Sequence, residues 1–208
     1  MDVYDALCVV DSPHEDSQKV VLLYTGYVVS RGERDKEYLQ GWNREHVWPQ
    51  SRAGMDTGTP GIATDLHNLF AADSSVNSSR SNKALGEISK RNTKQVVDNS
   101  PLDGGDGVVH GAVYTSEMWQ PTPRARGRIA RALLYMACVY GGDEGLRLVE
   151  GYGDPEKNEM GDLASVLKWH REYPPTAEEK ARNRAVAGMQ GNSNPFVDAP
   201  YLADAVRW

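Results

Sequence analysis

Two stretches, 42-WNREHVWPQS-51 and 64-TDLHNLFAADSSVNSSRSN-82, decide the expected fold and the expected chemistry. Together they hold the densest group of metal-binding and proton-transferring side chains in the chain. Glu45 and His46 are adjacent, and successive side chains of an extended segment point to opposite faces. We therefore expect these two residues to perform different tasks rather than to bind one ion together. Asn77 and Arg80 are three residues apart and would share one face of a helix.

These residue types indicate metal-assisted hydrolysis of a phosphoester. A carboxylate and an amide oxygen are hard oxygen ligands, which suit Mg²⁺, Mn²⁺ or Ca²⁺ better than a soft metal. A neutral histidine that binds no metal is suited to take a proton near neutral pH. A metal ion and a base in one place are the groups that the attack of water on a phosphodiester requires.

Local sequence signals around these residues predict a strand, a loop, a second strand and a helix. The segment NREHVWP is a predicted strand that Pro49 ends. Residues 51–64 are polar and rich in turn-forming residues, which predicts a loop. Residues 64–70, TDLHNLF, alternate in polarity and are predicted to be a short strand. Asp73 or Ser74 would then cap the following helix.

The same segments resemble the endonuclease I family, which consists of secreted or periplasmic nucleases of the His-Me finger (ββα-metal) group. The motifs NREHVWPQS, TDLHNL and VNSSRSN carry the resemblance, and RGRIARALLYMACVYG and ARNRAVAGMQGNSNPFVDAP follow in the family's order. It extends from about Val3 to Trp208. The resemblance implies an α+β fold with a ββα-metal core at about residues 42–82 and a small mixed or antiparallel sheet. Helices would surround the core and dominate the last third of a single domain, residues 1–208.

The resemblance also implies roles for individual residues. Matched motif by motif, His46 would be the general base, and Glu45 and Asn77 would hold one Mg²⁺, for which Mn²⁺ or Ca²⁺ could substitute. The implied activity is metal-dependent endonucleolytic hydrolysis of single- or double-stranded DNA, with RNA as a further substrate. Little sequence specificity is expected, and the products would carry 5′-phosphate and 3′-hydroxyl ends.

Other site assignments stay open at this point. The best-known members of the family contact the phosphate through an arginine in a long cysteine-rich loop, but the corresponding loop here is short and has no cysteine. Arg52 and Arg80 are the candidates for this role, and helical spacing favours Arg80. His67 could orient the site or be purely structural. Asp65 could anchor the second strand or a metal-bound water, and Asn82 could cap or pin the helix.

Bulk composition is typical of a globular protein. The chain has 208 residues, of which 39% are hydrophobic and 25% charged, and these values favour one well-buried domain. No apolar run approaches a membrane span, and residues 1–30 show no signal-peptide pattern. We expect a monomer without a membrane partner. The resemblance implies a secreted or periplasmic protein whose signal was removed, and a cytoplasmic location stays open.

Net charge argues mildly against a nucleic-acid partner, because the formal charge is −6 and the pI about 5.4. A basic surface would favour a polyphosphate. A local basic groove is nevertheless expected near the site, formed by Arg44, Arg52, Arg80, Lys83, Lys90, Arg91 and Lys94.

Several other residues carry simpler expectations. Cys8 and Cys138 could form one disulfide, although Cys138 lies in an apolar helical pattern that predicts a buried free thiol. Trp42 and Trp48 are expected in the core rather than as base-stacking surfaces. The remaining histidines are assigned to a loop, a sheet and helix packing, respectively: His14, His110 and His170.

The rest of the chain carries ordinary signals. Residues 19–30 predict one strand, or two with a bulge at Gly26. Residues 83–118 predict short strands, with PLDGGDG (101–107) as a turn rather than a calcium loop, since it lacks the acidic spacing of such loops. Helices are predicted at Arg128–Tyr140 and from Leu163 onward. Thr176 and Glu179 predict a capping box that begins a further helix.

Other enzyme classes lack their motifs. The chain has no H-E-x-x-H of zinc peptidases and no G-x-S-x-G of serine hydrolases. The zinc-deaminase pattern of H-x-E with C-x-x-C is also absent. Two alternatives to an endonuclease remain: a catalytically silent nuclease-like module that binds DNA, and a phosphodiesterase of small nucleotides.

Overall fold

A computed structural model describes residues 2–13, 16, 18–34, 41–55, 61–89, 93–97, 108–142 and 145–208. These residues form an α+β fold, as expected. The helices are α1 (Val3–Val10), α2 (Ser74–Arg80), α3 (Pro123–Tyr140), α4 (Leu163–Glu172), α5 (Ala177–Gln190) and α6 (Pro195–Asp198). The strands are β1 (Lys19–Val21), β2 (Val28–Ser30), β3 (Trp42–His46), β4 (Leu69–Asp73), β5 (Ala84–Leu85), β6 (Lys94–Val97), β7 (Val108–Tyr114), β8 (Met118–Gln120), β9 (Arg147–Leu148) and β10 (Glu159–Met160).

The expected ββα unit is present. Strands β3 and β4 pair antiparallel, with Trp42 opposite Asp73 and His46 opposite Leu69, and α2 follows β4 directly. Asp73 is the N-cap of α2, because its side chain accepts hydrogen bonds from the backbone N–H groups of Ser75 and Val76. This cap satisfies donors that the first turn of a helix otherwise leaves unpaired.

The predicted bounds of the second strand were wrong. Strand β4 begins at Leu69 rather than at Thr64, and residues 62–64 form a short 3₁₀ turn. The Asp65 carboxylate accepts a hydrogen bond from the His67 backbone N–H at 2.8 Å, and the Asp65 carbonyl accepts one from Asn68 at 3.0 Å. These local bonds hold residues 65–68 in a turn, an arrangement that aspartate favours over a strand.

The other strands form small sheets, as predicted. Strands β1 and β2 make an antiparallel hairpin, so residues 19–30 contain two strands, with Gly26 at a φ of +74° between them. A four-stranded sheet has the order β5-β8-β7-β6 and contains His110 in β7. Strands β9 and β10 are parallel. The predictions for His14 and for the PLDGGDG turn fall outside the described residues.

The last third is mostly helical, as expected. Helix α3 begins at Pro123, five residues before the predicted start, because Thr122 and Pro123 supply the N-cap and first-turn positions. Helix α3 packs against α4 and α6, and Ile129, Leu133 and Met136 are fully buried. Thr176 caps α5 by accepting the Glu179 N–H, whereas the Glu179 carboxylate binds Arg131 instead of completing a capping box.

The core contains the large aromatic residues. Trp42 and Trp48 are fully buried, which confirms their assignment to the core, and His170 is buried against Phe196. Cys8 and Cys138 are both free thiols. Cys138 is exposed, contrary to expectation, because it lies on the outer face of the last turn of α3 beside the half-exposed Val139.

Replacing Asp73 with alanine should lower the free energy of unfolding by about 2 kcal/mol, because the buried cap of α2 is lost. Urea unfolding followed by circular dichroism measures this change. Asp154→Ala is the matched control, since Asp154 caps a short and partly exposed 3₁₀ turn, and it should destabilise the protein clearly less than Asp73→Ala does. Equal losses in the two variants would contradict the role of Asp73.

Candidate active site

An open cleft of about 390 Å³ lies where the end of β3 meets α2. Its walls contain four of the predicted catalytic and metal-binding residues, Glu45, His46, Asn77 and Arg80, and also Asn82. The other lining residues are Arg44, Pro49, Gln50, Ser51 and Ser81. Arg52, Asp65 and His67 lie outside this lining. The ββα unit therefore places five of the eight predicted site residues around one cleft, and the other three lie elsewhere.

Glu45 is a buried carboxylate with 2% of its surface exposed. Two side chains contact its Oε1: the Tyr24 hydroxyl donates to this oxygen at 2.5 Å, and Arg80 Nη1 lies 3.1 Å from it. Burial raises the pKa of Glu45, and the Arg80 charge and the Tyr24 hydrogen bond oppose that rise. Arg80 is thus the cation that stabilises the charged form of the buried Glu45 side chain.

His46 is held by a backbone carbonyl from the loop between the strands. Its Nε2 lies 2.8 Å from the Ala63 carbonyl oxygen, which can only accept, so Nε2 carries the proton and Nδ1 is left as the basic nitrogen. Gln50 Nε2 lies 3.3 Å from the same ring nitrogen, and the shorter contact to Ala63 decides the tautomer. Burial lowers the pKa of His46 to about 4, so the ring is neutral at pH 7.

Asn77 is oriented by the strand beneath it. Its amide nitrogen donates to Asn43 Oδ1 at 2.8 Å and to the Arg44 carbonyl at 3.1 Å. Both bonds use the nitrogen, so the amide oxygen Oδ1 is the atom available to a ligand in the cleft. The side chain is half-buried, which suits a group that is both positioned and accessible.

Arg80 is almost fully buried, with 1% of its surface exposed. Besides Glu45, it contacts the backbone carbonyls of His46 at 3.0 Å through Nη1 and of Val47 at 2.5 Å through Nη2. Its Nε has no hydrogen-bond partner among the described residues. The guanidinium therefore clamps the end of β3 to the last turn of α2, and few of its donors remain for a substrate phosphate.

Arg52 faces away from the cleft lining. Its Nε donates to the Asn82 carbonyl at 2.7 Å, and Nη1 donates to the carbonyls of Tyr152 at 3.1 Å and Glu159 at 3.0 Å. These bonds connect the segment after β3 to the region of β10. Asn82 is held through its backbone by Arg52, while its side chain reaches Ser51 Oγ at 3.3 Å on the cleft wall.

Asp65 and His67 belong to a buried network behind the cleft. Asp65 Oδ2 accepts from the hydroxyls of Tyr135 and Tyr140, each at 2.8 Å, and Oδ1 accepts from Gln190 at 3.0 Å. His67 Nε2 lies 3.0 Å from the Asn192 carbonyl. Burial raises the pKa of Tyr135, and the neighbouring Asp65 charge adds to this rise. The network attaches the loop that carries Ala63 to α3 and to the end of α5.

The donor set of the cleft fits a hard divalent cation. A carboxylate and an amide oxygen line one open cavity, in which water can complete the coordination shell of Mg²⁺. Among the described residues no group of three or more histidine, cysteine, aspartate or glutamate side chains is arranged to hold a metal. The predicted metal ligands are one carboxylate, Glu45, and one amide, Asn77. Such a pair would not appear as a group of three or more of these side chains.

The expected basic groove is only partly visible. Arg44 lines the cleft and is half-exposed, whereas the Lys83 ammonium lies 5.5 Å from the Tyr114 ring. Lys94 is exposed in β6. Lys90 and Arg91 fall outside the described residues.

Sequence reasoning missed Tyr24 and Ala63, which contact Glu45 and His46 directly. Tyr24 acts through a hydroxyl that lies 21 residues before Glu45, and Ala63 acts through its backbone carbonyl. Neither residue type indicates such a role, so no local signal could have identified them.

Comparison with known proteins identifies the family of the chain. The profile of the endonuclease I family matches residues 1–201. The chain belongs to the endonuclease I family. No helix in the described part of this endonuclease I chain is both long and apolar enough to cross a membrane.

Three relatives illustrate the range of the family. An extracellular ribonuclease of Bacillus amyloliquefaciens is 33% identical over 208 residues, which are 98% of this chain and 66% of the relative. An extracellular deoxyribonuclease of Aeromonas hydrophila is 31% identical over 134 residues, which cover 64% of this chain and 48% of the relative. Endonuclease-1 of Buchnera aphidicola (Acyrthosiphon pisum symbiont) is 28% identical over 136 residues, with 65% and 45% covered. This endonuclease I chain therefore spans about half to two thirds of their lengths.

Replacing Arg80 with glutamine should lower the free energy of unfolding by about 3–5 kcal/mol, because Glu45 stays buried without its cation. Urea unfolding at pH 7 measures the change. Arg44→Gln is the matched control, since Arg44 lies beside Glu45 on β3 but is half-exposed, and its loss should stay below about 1 kcal/mol. If the Arg80→Gln protein were as stable as the Arg44→Gln control, the stabilising role of the Arg80–Glu45 pair would be contradicted.

His67→Gln should weaken the dependence of stability on pH. Burial lowers the pKa of His67 below its ordinary value of 6.5, so on acidification the unfolded chain takes up a proton before the folded protein does. The contribution of the buried, neutral His67 to the free energy of unfolding is fully present above pH 6.5. It is lost as the pH falls below that value. Between pH 7.5 and 5, the wild type should lose more stability than His67→Gln, whose amide can still donate to Asn192. Equal losses in chemical-denaturation curves would contradict this assignment.

Proposed function

We propose that this protein is a metal-dependent endonuclease that hydrolyses phosphodiester bonds of nucleic acids. The observation that carries the proposal is the contact between His46 Nε2 and the Ala63 carbonyl, which leaves Nδ1 as the basic nitrogen of a histidine that lines the same cleft as Glu45 and Asn77. A base, a carboxylate and an amide oxygen in one open cavity are the groups that water attack on phosphorus needs.

His46 is the general base in this proposal. Its Nδ1 takes a proton from the water that attacks phosphorus in line with the leaving 3′ oxygen. The Ala63 carbonyl fixes the ring orientation and stabilises the imidazolium that forms, as the partner of a catalytic histidine does. The leaving 3′ oxygen takes up a proton from solvent water, so the products would carry 5′-phosphate and 3′-hydroxyl ends.

Glu45 and Asn77 would hold one Mg²⁺, for which Mn²⁺ or Ca²⁺ could substitute. When bound, such an ion would stabilise negative charge on the phosphate and on the leaving oxygen. The chain's own residues prepare this site: Tyr24 and Arg80 orient the Glu45 carboxylate, and the Asn77 amide nitrogen is fixed to β3.

Arg80 acts in this scheme as a positioning residue, because it holds Glu45 and the consecutive backbone carbonyls of His46 and Val47. Arg52 supports the cleft from behind. We assign the contact with a substrate phosphate to Arg44, which is half-exposed on the cleft wall. Arg44 and His46 are two residues apart on β3 and so project from the same face of the strand.

The substrate class is DNA, RNA or both. The Bacillus relative is named a ribonuclease and the Aeromonas relative a deoxyribonuclease, and the cleft is open enough for either polymer. Open access to the backbone, with no base-reading element among the residues that the structure describes, favours cleavage with little sequence specificity. Both relatives are named extracellular, which supports action outside the cytoplasm.

The decisive experiment compares wild type and His46→Ala on supercoiled plasmid and on single-stranded RNA, with Mg²⁺ or with EDTA. Wild type should nick and then degrade at least one polymer in Mg²⁺ only. His46→Ala should cleave about 10²–10⁴-fold more slowly, and added imidazole should restore part of its rate. His110→Ala is the matched control, because His110 is exposed on β7, and it should retain full activity.

Other outcomes identify the alternatives. Intact polymers in every condition, with a retarded band on a native gel, would favour a silent DNA-binding module. Hydrolysis of dinucleotides with no cleavage of either polymer would favour a phosphodiesterase of small nucleotides. Undiminished cleavage by Glu45→Gln and Asn77→Ala would refute the assigned metal ligands.

A further inference from the structure

A second pocket, of about 670 Å³, lies between the end of α1, β1, the first turns of α3 and the face of α5. None of its lining residues lines the cleft that contains His46. Half of its lining is apolar, formed by valine, alanine and proline side chains, and the other half is polar, with Ser12 and the charged residues Arg124, Arg128, Arg182, Asp11 and Glu178. A volume of this size is typical of sites that bind small organic molecules.

The two acidic residues do not neutralise all three arginines. Asp11 is committed, because Oδ1 binds Arg182 Nε at 2.5 Å and Oδ2 accepts the Ala71 N–H at 2.7 Å. Arg182 also donates to two backbone carbonyls, so this pair is structural. Glu178 is exposed at the rim.

Arg124 and Arg128 are the remaining cations of the pocket. They are four residues apart on α3, so both side chains project from one face, where like charges repel. Within the described part of the chain, neither guanidinium has a hydrogen bond or an ion pair. Burial lowers the pKa of Arg128; the charges of Glu179 and Asp11 oppose this, and those of Arg182 and Arg124 add to it. Arg128 therefore has anionic neighbours but, among the described residues, no anion in direct contact, which a desolvated guanidinium normally has.

The position of Arg124 depends on a glycine. Its guanidinium lies directly against Gly26, where a Cβ atom would collide with it. Because Gly26 has no Cβ atom, the Arg124 guanidinium can pack directly against the backbone of the turn between β1 and β2. One arginine is placed by Gly26, the other is half-buried one helical turn away, and both border the same cavity.

We infer that Arg124 and Arg128 form a binding site for an organic phosphate, with the phosphate group between the two guanidinium groups and its organic part against the apolar wall. Planar guanidinium groups match the geometry of phosphate oxygens. An inorganic ion would fill only a small part of the cavity, and the valine and alanine side chains favour a ligand with an apolar body. A free nucleoside monophosphate and the 5′-phosphorylated end of a nucleic acid share this chemistry. The site does not depend on the proposed nuclease activity.

Isothermal titration calorimetry of the whole protein in EDTA tests the site without cleavage. The titrants are adenosine 5′-monophosphate, adenosine, inorganic phosphate, and a short oligonucleotide with and without a 5′-phosphate. The monophosphate should bind at least tenfold more tightly than adenosine or inorganic phosphate. Tighter binding of the 5′-phosphorylated oligonucleotide than of the monophosphate would identify a strand end as the ligand, and the reverse order would identify a free nucleotide.

Variants separate this pocket from the rest of the surface. Arg128→Gln and Arg124→Gln should each weaken monophosphate binding at least tenfold, and Arg128→Lys should weaken it less than Arg128→Gln. Arg171→Gln is the matched control, since Arg171 is an exposed arginine paired with Asp204, and its affinity should equal that of the wild type. Thermal unfolding of each variant establishes that it is folded.

Two results would overturn the inference: no binding of the monophosphate to the wild type, or equal affinity in the wild type and the folded Arg124→Gln/Arg128→Gln double variant. Equal affinity for inorganic phosphate and the monophosphate would overturn the assignment to an organic ligand. Plasmid cleavage by the same double variant is measured separately. A nuclease that binds no monophosphate refutes only this site, and an inactive protein that binds it refutes only the proposed function.

Discussion

The buried contact between Arg80 and Glu45 is the constraint on which the candidate site depends. Neither charge would be stable alone in this position, because removing one ion of a buried pair leaves the other without compensation. The pair also joins the two halves of the ββα unit, since Glu45 lies in β3 and Arg80 ends α2. The carboxylate that is proposed to bind a metal is thus already oriented by the fold.

The contacts of Glu45 with Tyr24 and Arg80 orient its carboxylate but also reduce its affinity for a cation. A carboxylate held by Tyr24 and Arg80 is well positioned, yet its charge is partly balanced before any cation arrives. A divalent ion would have to share that charge with the guanidinium. A site of this kind is expected to bind its metal weakly and to gain further ligands from the substrate phosphate, which is how Mg²⁺ is usually bound in proteins that act on phosphates.

Sequence reasoning succeeded where the signals were local. The strand that carries Glu45 and His46, the Asp73 cap and the helix that carries Asn77 all follow from neighbouring residues, and the resemblance to endonuclease I placed them in one unit. It failed where distant backbone groups decide the outcome. The Ala63 carbonyl that orients His46 lies in a loop without periodicity, and the turn at Asp65 replaced a predicted strand. Arg52 and Arg80 could not be distinguished from surface arginines, because sequence does not show which carbonyls a guanidinium will reach.

The network around Asp65 limits how far the site can be separated from the rest of the protein. The loop that supplies the Ala63 carbonyl is attached to Tyr135 and Tyr140 in α3 and to Gln190 at the end of α5. The ββα unit is therefore not an autonomous module: its geometry is completed by side chains more than 100 residues later in the chain. Transplanting residues 42–82 alone onto another scaffold would transfer the sequence motif but not the support that gives the histidine its orientation. In evolutionary terms, the ββα motif and the C-terminal helices are expected to be inherited together.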